Sequence, residues 1–149
     1  MSFKIHTYAA SLVILEDRIK SFQSALTDLS EGAKNDAKST AGDKHETAMA
    51  MMQIEREKIS KQLSELLDQK ETLQRLEQQG PSAVAAVGSL LHTNRGYLYL
   101  TIPLGRVVVE NEPVMVISAQ SPLGVKLIGL PSKATAEING TSYRIEEIL

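Results

Sequence analysis

Large apolar residues return every seventh position from the start of the chain. Ile5, Leu12, Ile19 and Leu26 form one row, and Tyr8, Leu15, Phe22 and Leu29 a second, three places on. An a/d pattern sustained over these heptads predicts a coiled-coil helix. A second series, Met52, Ile59, Leu66 and Leu73, supported by Leu63, Leu67 and Leu76, predicts another. Its remaining seam positions include Glu55, Gln62 and Gln69, so its partner face is the more polar. Between the two lies Asn35 to Asp43, which has no large apolar residue and reads as a tip. So short a connection favours antiparallel helices, each arm about 45 Å long at about 1.5 Å per residue.

The period changes after Gln78-Gln79-Gly80-Pro81, where Gly and Pro stop the second helix. Val84–Leu91, Tyr97–Ile102, Arg106–Val109, Val114–Ile117, Ala136–Ile138 and Ser142–Ile148 read as short strands. Asn94-Arg95-Gly96 and Asn139-Gly140 supply turns. Ser121 to Leu130 is apolar, with Pro122 placed to open a short helix. The expected organisation is α+β: a long antiparallel N-terminal coiled-coil hairpin over residues 1–79, its tip near 35–46, then a small sheet domain over 80–149.

Composition narrows the function. The 149 residues carry a formal charge of −2, with 13 acidic and 11 basic side chains in residues 1–80 and five of each in the remainder. Neither part has the basic excess that bulk nucleic-acid binding requires. There is no cysteine, which excludes disulfides, thiolate metal sites and cysteine nucleophiles and is compatible with the cytoplasm. The apolar run Tyr8–Leu15 continues a heptad and reads as helix rather than signal peptide. No apolar stretch is long enough to span a membrane.

Asp43 and Glu46, three residues apart at the start of the second helix, are the candidate chemical groups. Asp followed three places later by Glu is a capping-box variant that satisfies orphan backbone N–H groups. A carboxylate at an exposed helix start is also free to offer an oxygen to a Mg²⁺ shared with a partner, because Mg²⁺ takes only one or two protein carboxylates. Both roles stay open. Lys34, Lys38 and Lys44 near the tip, with Arg56 and Lys58 behind them, are candidates for phosphate contact or simply a solvated helix face. Met49, Met51 and Met52 read as packing of the hairpin neck. His45-Glu46 begins like a zinc-protease motif, but Met49 stands where the second histidine belongs. His6 and His92 are isolated and read as surface or half-buried residues. No Gly-x-Ser-x-Gly and no phosphate-binding loop occurs.

The order of these parts resembles the Gre transcript-cleavage factors of bacterial RNA polymerase over essentially the whole chain. Two motifs carry the resemblance. Gly42-Asp43-Lys44-His45-Glu46 is similar to the family's Gly-Asp-x-x-Glu tip, and Ser121-Pro122-Leu123-Gly124 followed by Leu127-Ile128-Gly129 to its C-terminal signature. Thr47 stands where the family usually has Asn, and Met49 where an aromatic often follows. Val125-Lys126 replaces Arg-Ala, and Leu130 a Lys. The resemblance implies an FKBP-like C-terminal domain that docks on the polymerase, with Ser121, Pro122, Leu123 and Gly124 as docking residues. It further implies a hairpin that enters the secondary channel, where Asp43 and Glu46 help hold a Mg²⁺ belonging to the polymerase active site. The polymerase would then cut its own backtracked RNA, the factor having no activity and no cofactor of its own.

Three readings follow. The first is a Gre-like factor that stimulates transcript cleavage, with bacterial RNA polymerase as partner and the nascent RNA 3′ end met only indirectly. The second is a Gre-fold channel binder that modulates or inhibits the polymerase without cleavage. The third is a coiled-coil adaptor in which Asp43 and Glu46 only cap a helix. None takes a small-molecule substrate or a membrane. Prolyl isomerase activity, suggested by an FKBP-like fold, lacks aromatic residues for a proline pocket: both Phe residues lie in the N-terminal half, leaving Tyr97, Tyr99 and Tyr143.

Overall fold

A computed structural model describes residues 2–39 and 43–149, with side chains described for 2–32 and 46–149. Two long helices come first, α1 (Phe3–Ser39) and α2 (Asp43–Arg75). Strands β1 (Leu90–Thr93), β2 (Gly96–Thr101), β3 (Gly105–Val109) and β4 (Glu112–Ser118) follow, then helix α3 (Pro122–Leu127) and strands β5 (Thr135–Ile138) and β6 (Thr141–Ile148). The fold class is α+β. The chain forms two compact units, Leu15–Gln69 and Met1–Ile14 with Lys70–Leu149.

In the first unit α1 and α2 run antiparallel. Phe22 and Ala25 lie across a groove from Glu55, Lys58 and Ile59, Met52 lies against Gly32, and the Arg56 guanidinium reaches Ser30 Oγ at 3.4 Å. The heptad rows supply the buried side: Leu15, Ile19 and Ile59 are buried, and Phe22, Leu26 and Leu66 half-buried. Leu67 stands off the rows and is exposed. Part of the segment read as the tip, Asn35–Asp43, is helical. Helix α1 continues to Ser39 and α2 opens at Asp43, leaving only 40–42, which lie outside the described residues. Ala, Lys, Asn and Ser are compatible with a helix, which only Gly and Pro strongly oppose.

The second unit is a six-stranded mixed sheet of order β3-β4-β2-β1-β6-β5, with β2 and β4 parallel and every other pair antiparallel. β2 occupies its middle and is buried on both faces, Leu98 and Leu100 on one and Tyr99 on the other. Leu98 and Leu100 join Ala85, Leu91, Leu127, Ala136 and Ile145 in a core closed by α3 and flanked by Leu123 and Leu130. The Tyr99 face is covered by the start of α1. Phe3 packs on Tyr97 with ring centroids 4.6 Å apart, His6 Nδ1 meets the Glu110 carboxylate, and Tyr8 lies near Tyr99. Lys4 Nζ donates to Gln79 O (2.7 Å) and Leu149 O (2.9 Å), joining the α1 start to the segment after α2 and to the end of β6. Burial draws this ammonium below the ordinary lysine range. Ile5, expected in the seam, is 53% exposed because it opens onto a cleft of about 380 Å³ that Phe3, Tyr8, Tyr99 and Leu149 also line.

Five of the six expected strands sit within two residues of their expected bounds. The exception is Val84–Leu91. Only Leu90–Thr93 pairs as β1; Val84 makes a lone bridge to Pro131. The apolar run is broken by a turn in which Ser89 N donates to Ala86 O and Gly88 takes φ 95°, a left-handed conformation that glycine alone adopts cheaply. The Asn139-Gly140 turn closes β5 on β6 as expected, with φ 50° and 78°. Glu110-Asn111 makes an equivalent turn, φ 52° and 68°, between β3 and β4 without the Asn-Gly signature. The helix expected over Ser121–Leu130 ends at Leu127.

Burial, with Tyr8 beside it, raises the Tyr99 phenol above its ordinary value of 10. Its proton is held more tightly folded than unfolded, so the stability it contributes is complete below pH 10 and declines as pH rises further. Denaturant midpoints measured from pH 9 upward should therefore fall less steeply for Tyr99→Phe than for the parent chain; parallel curves would contradict this placement.

Candidate functional site

Two places in the fold hold the candidate residues. At the first, α2 begins with Asp43, and Glu46 follows one turn later, a spacing that puts both on neighbouring positions of one helix surface. Glu46 is exposed. The side chains of Asp43 and Lys44, like those of Lys34 and Lys38 towards the end of α1, lie outside the described residues, so the capping reading and the phosphate-contact reading lie there too. The start of α2 leaves unsatisfied N–H groups and the positive end of the helix dipole in this first turn. Behind them Met49 and Met52, one helical step of three apart, are half-buried. Met51 is 67% exposed, which corrects its expected packing role: rotation of about 100° per residue carries it off the face that Met49 and Met52 share.

Two carboxylates a turn apart match the donor chemistry of a Mg²⁺ ion that keeps waters and takes its other ligands elsewhere. They are too few to build a closed site. Among the described residues no three His, Asp or Glu side chains gather as metal ligands.

The second place is Ser121-Pro122-Leu123-Gly124, whose first role is local. Ser121 is the N-cap of α3: its Oγ accepts from Gly124 N (3.1 Å) and donates to Ser118 O (2.6 Å). Pro122 sits at the helix's first position, where a missing N–H costs nothing. Gly124 is buried, and a Cβ there would collide with the Ser118 carbonyl and stand 2.9 Å from Ala119 O. Leu123 packs half-buried against the core. Of the four, Pro122 is exposed, and Val125, just beyond, is 62% exposed. Any surface this motif offers is thus the shape and apolar side chains of α3, positioned by Ser121 and Gly124 from beneath.

Among the described residues, several aromatic and histidine side chains of the sheet unit are engaged. Tyr97 stacks on His92 and packs at a tilt against Phe3, Tyr99 is buried, and Arg95 lies over the Tyr143 ring. His6, read as isolated in the sequence, pairs with Glu110, a contact across 104 positions that no local pattern announces. Among the described residues no helix is long and apolar enough to cross a membrane.

Comparison with known proteins yields little. No protein-family model matches the chain, and no curated protein matches it in sequence. Among solved structures, the transcription factor Gfh1 aligns over 93% of each chain at 15% identity, with a TM-score of 0.35. A likeness of that strength fixes neither family nor function.

The geometry separates two kinds of defect in the α3 motif. Ser121→Ala should cost about 1 kcal/mol, the usual value of an N-cap. Gly124→Ala should cost more, because the backbone of 118–119 has to move. Equilibrium unfolding of both variants checks the order; equal stability of Gly124→Ala and the parent would show that the close approach is not rigid.

Proposed function

We propose that this chain is a Gre-like transcription factor that binds bacterial RNA polymerase and stimulates cleavage of backtracked RNA by the polymerase's own active site. The observation that carries the proposal is the opening of the hairpin's second helix at Asp43, with Glu46 exposed one turn on. The Gre-type motif Gly42-Asp43-Lys44-His45-Glu46 therefore runs into the first turn of α2, a helix start from which carboxylates can be presented to a partner. The Ser121-Pro122-Leu123-Gly124 motif, in the same order as in that family, supports the reading by opening a short helix on the sheet domain.

In this reading Asp43 and Glu46 are the groups that act in the polymerase, and Lys34, Lys38 and Lys44 are candidates to meet RNA phosphates. Mg²⁺ bound between the carboxylates and the polymerase would act as a Lewis acid on water and phosphate oxygens. The chain's own contribution is to bring two carboxylates to the right depth and hold them on a helix rather than a loop. Ser121, Pro122, Leu123 and Gly124 serve docking through the α3 surface. The chain is then an accessory protein rather than an enzyme, working with the polymerase in the cytoplasm.

A stalled, backtracked elongation complex tests this. The parent chain is expected to shorten the RNA, and Asp43→Asn/Glu46→Gln to lose at least a hundredfold in cleavage rate while its polymerase affinity changes less than threefold, the scale expected for a charge-stabilising group. Binding by both without cleavage would replace the proposal with a channel binder that modulates the polymerase. Absence of binding would leave the adaptor reading, with Asp43 and Glu46 as a helix cap.

A further inference from the structure

We infer that the free edge of β3 is a strand-addition site for an extended, acidic peptide segment of a partner protein. The sheet has two edges, β3 and β5, and they are finished differently. On β5 the closing turn pairs Ile138 with Thr141, so the groups of Glu137 point outward, and Lys126 Nζ from α3 donates to Glu137 O at 2.7 Å. That edge is capped by a lysine, a common protection against strand pairing.

The β3 edge has no such cap. Val109 pairs with Glu112 across the two-residue turn and Val108 pairs with Pro113, which has no N–H to give. The ladder bonds therefore belong to Gly105, Val107 and Val109, and the N–H and C=O of Arg106 and Val108 face outward. No hydrogen bond among the described residues reaches those four groups. The strand carries neither proline nor lysine. Its side chains alternate: Val107 and Val109 are buried, while Val108 is 60% exposed and Arg106 exposed, beside Met115 at 42% on β4. An incoming strand finds four main-chain partners, an apolar strip of Val108 and Met115, and a guanidinium at one end.

Charge selects the occupant. Arg106 marks one end of the edge, and exposed Glu110 and Glu112 mark the other. A peptide with Asp or Glu beside Arg106, and no carboxylate at the Glu110 end, matches both in sign and in direction. A second copy of this chain fits less well. Antiparallel pairing of two β3 edges through all four outward groups sets Val108 of one copy opposite Arg106 of the other, which leaves the guanidinium without a carboxylate. Glu110, the carboxylate next along, is held by His6 and turns out of the strand at φ 52°. The inference does not rest on the polymerase reading.

The test uses a displayed library of seven-residue peptides selected on the immobilised full chain. Selection is expected to enrich sequences that alternate apolar residues and contain Asp or Glu. A synthetic copy of the leading peptide should slow amide exchange at Arg106 and Val108 at least tenfold. Val108→Pro, which removes an outward N–H without touching the β4 ladder, should weaken binding at least tenfold with unchanged circular dichroism. Should that variant misfold, Arg106→Glu carries the test, with the same expected loss. The inference is overturned by no enrichment, by equal binding to a folded variant, or by peptide protection elsewhere. Protection of Arg106 and Val108 that grows with protein concentration alone would overturn it in favour of a second copy.

Discussion

A sheet whose middle strand is buried on both faces needs two covers, and this requirement organises the sheet unit. Leu98 and Leu100 on one face of β2 and Tyr99 on the other cannot be left in water. Helix α3, only six residues long, closes the first face. The start of α1 closes the second, through Phe3, Tyr8 and the paired His6. The first turns of α1 therefore belong to the sheet unit rather than to the hairpin. Lys4, bonded to the carbonyls of Gln79 and Leu149, fastens that arrangement where three remote segments meet.

Period was legible in the sequence wherever a face was buried. The sevenfold rows marked both helices, and short apolar runs between turn signals, several of them alternating, located β2 to β6. Asn139-Gly140 and Pro122 added local chemistry that works in isolation. Other features were hidden because they depend on distant groups. The turn at Gly88 interrupts a run that reads as strand. Ile5 keeps heptad spacing yet opens onto a cleft. The His6–Glu110 and Lys4 contacts join positions 75 to 145 residues apart. The composition of Asn35–Ser39 marked a tip but not how far α1 extends into it.

The candidate site divides in the same way. Glu46 and Asp43 were identifiable from a motif and their position between two periodic segments, and the start of α2 agrees with that position. Ser121 and Gly124 were also identifiable by motif; in the fold they form a cap and a close backbone approach that shape α3 from below. Arg106 and Val108 carried no motif at all. Their interest comes from strand register, since a proline on the neighbouring strand decides which backbone groups face outward.

The central claim is that the start of α2 reaches the polymerase's catalytic centre. A photo-reactive amino acid at Thr47, next to Glu46, tests this directly in a backtracked complex with 3′-labelled RNA. The account predicts crosslinks to the RNA 3′ end or to the catalytic subunit beside it, and none from the same group placed at Glu137 on the sheet unit. Equal crosslinking from both positions, or none from Thr47 in a complex shown to contain the factor, would contradict it.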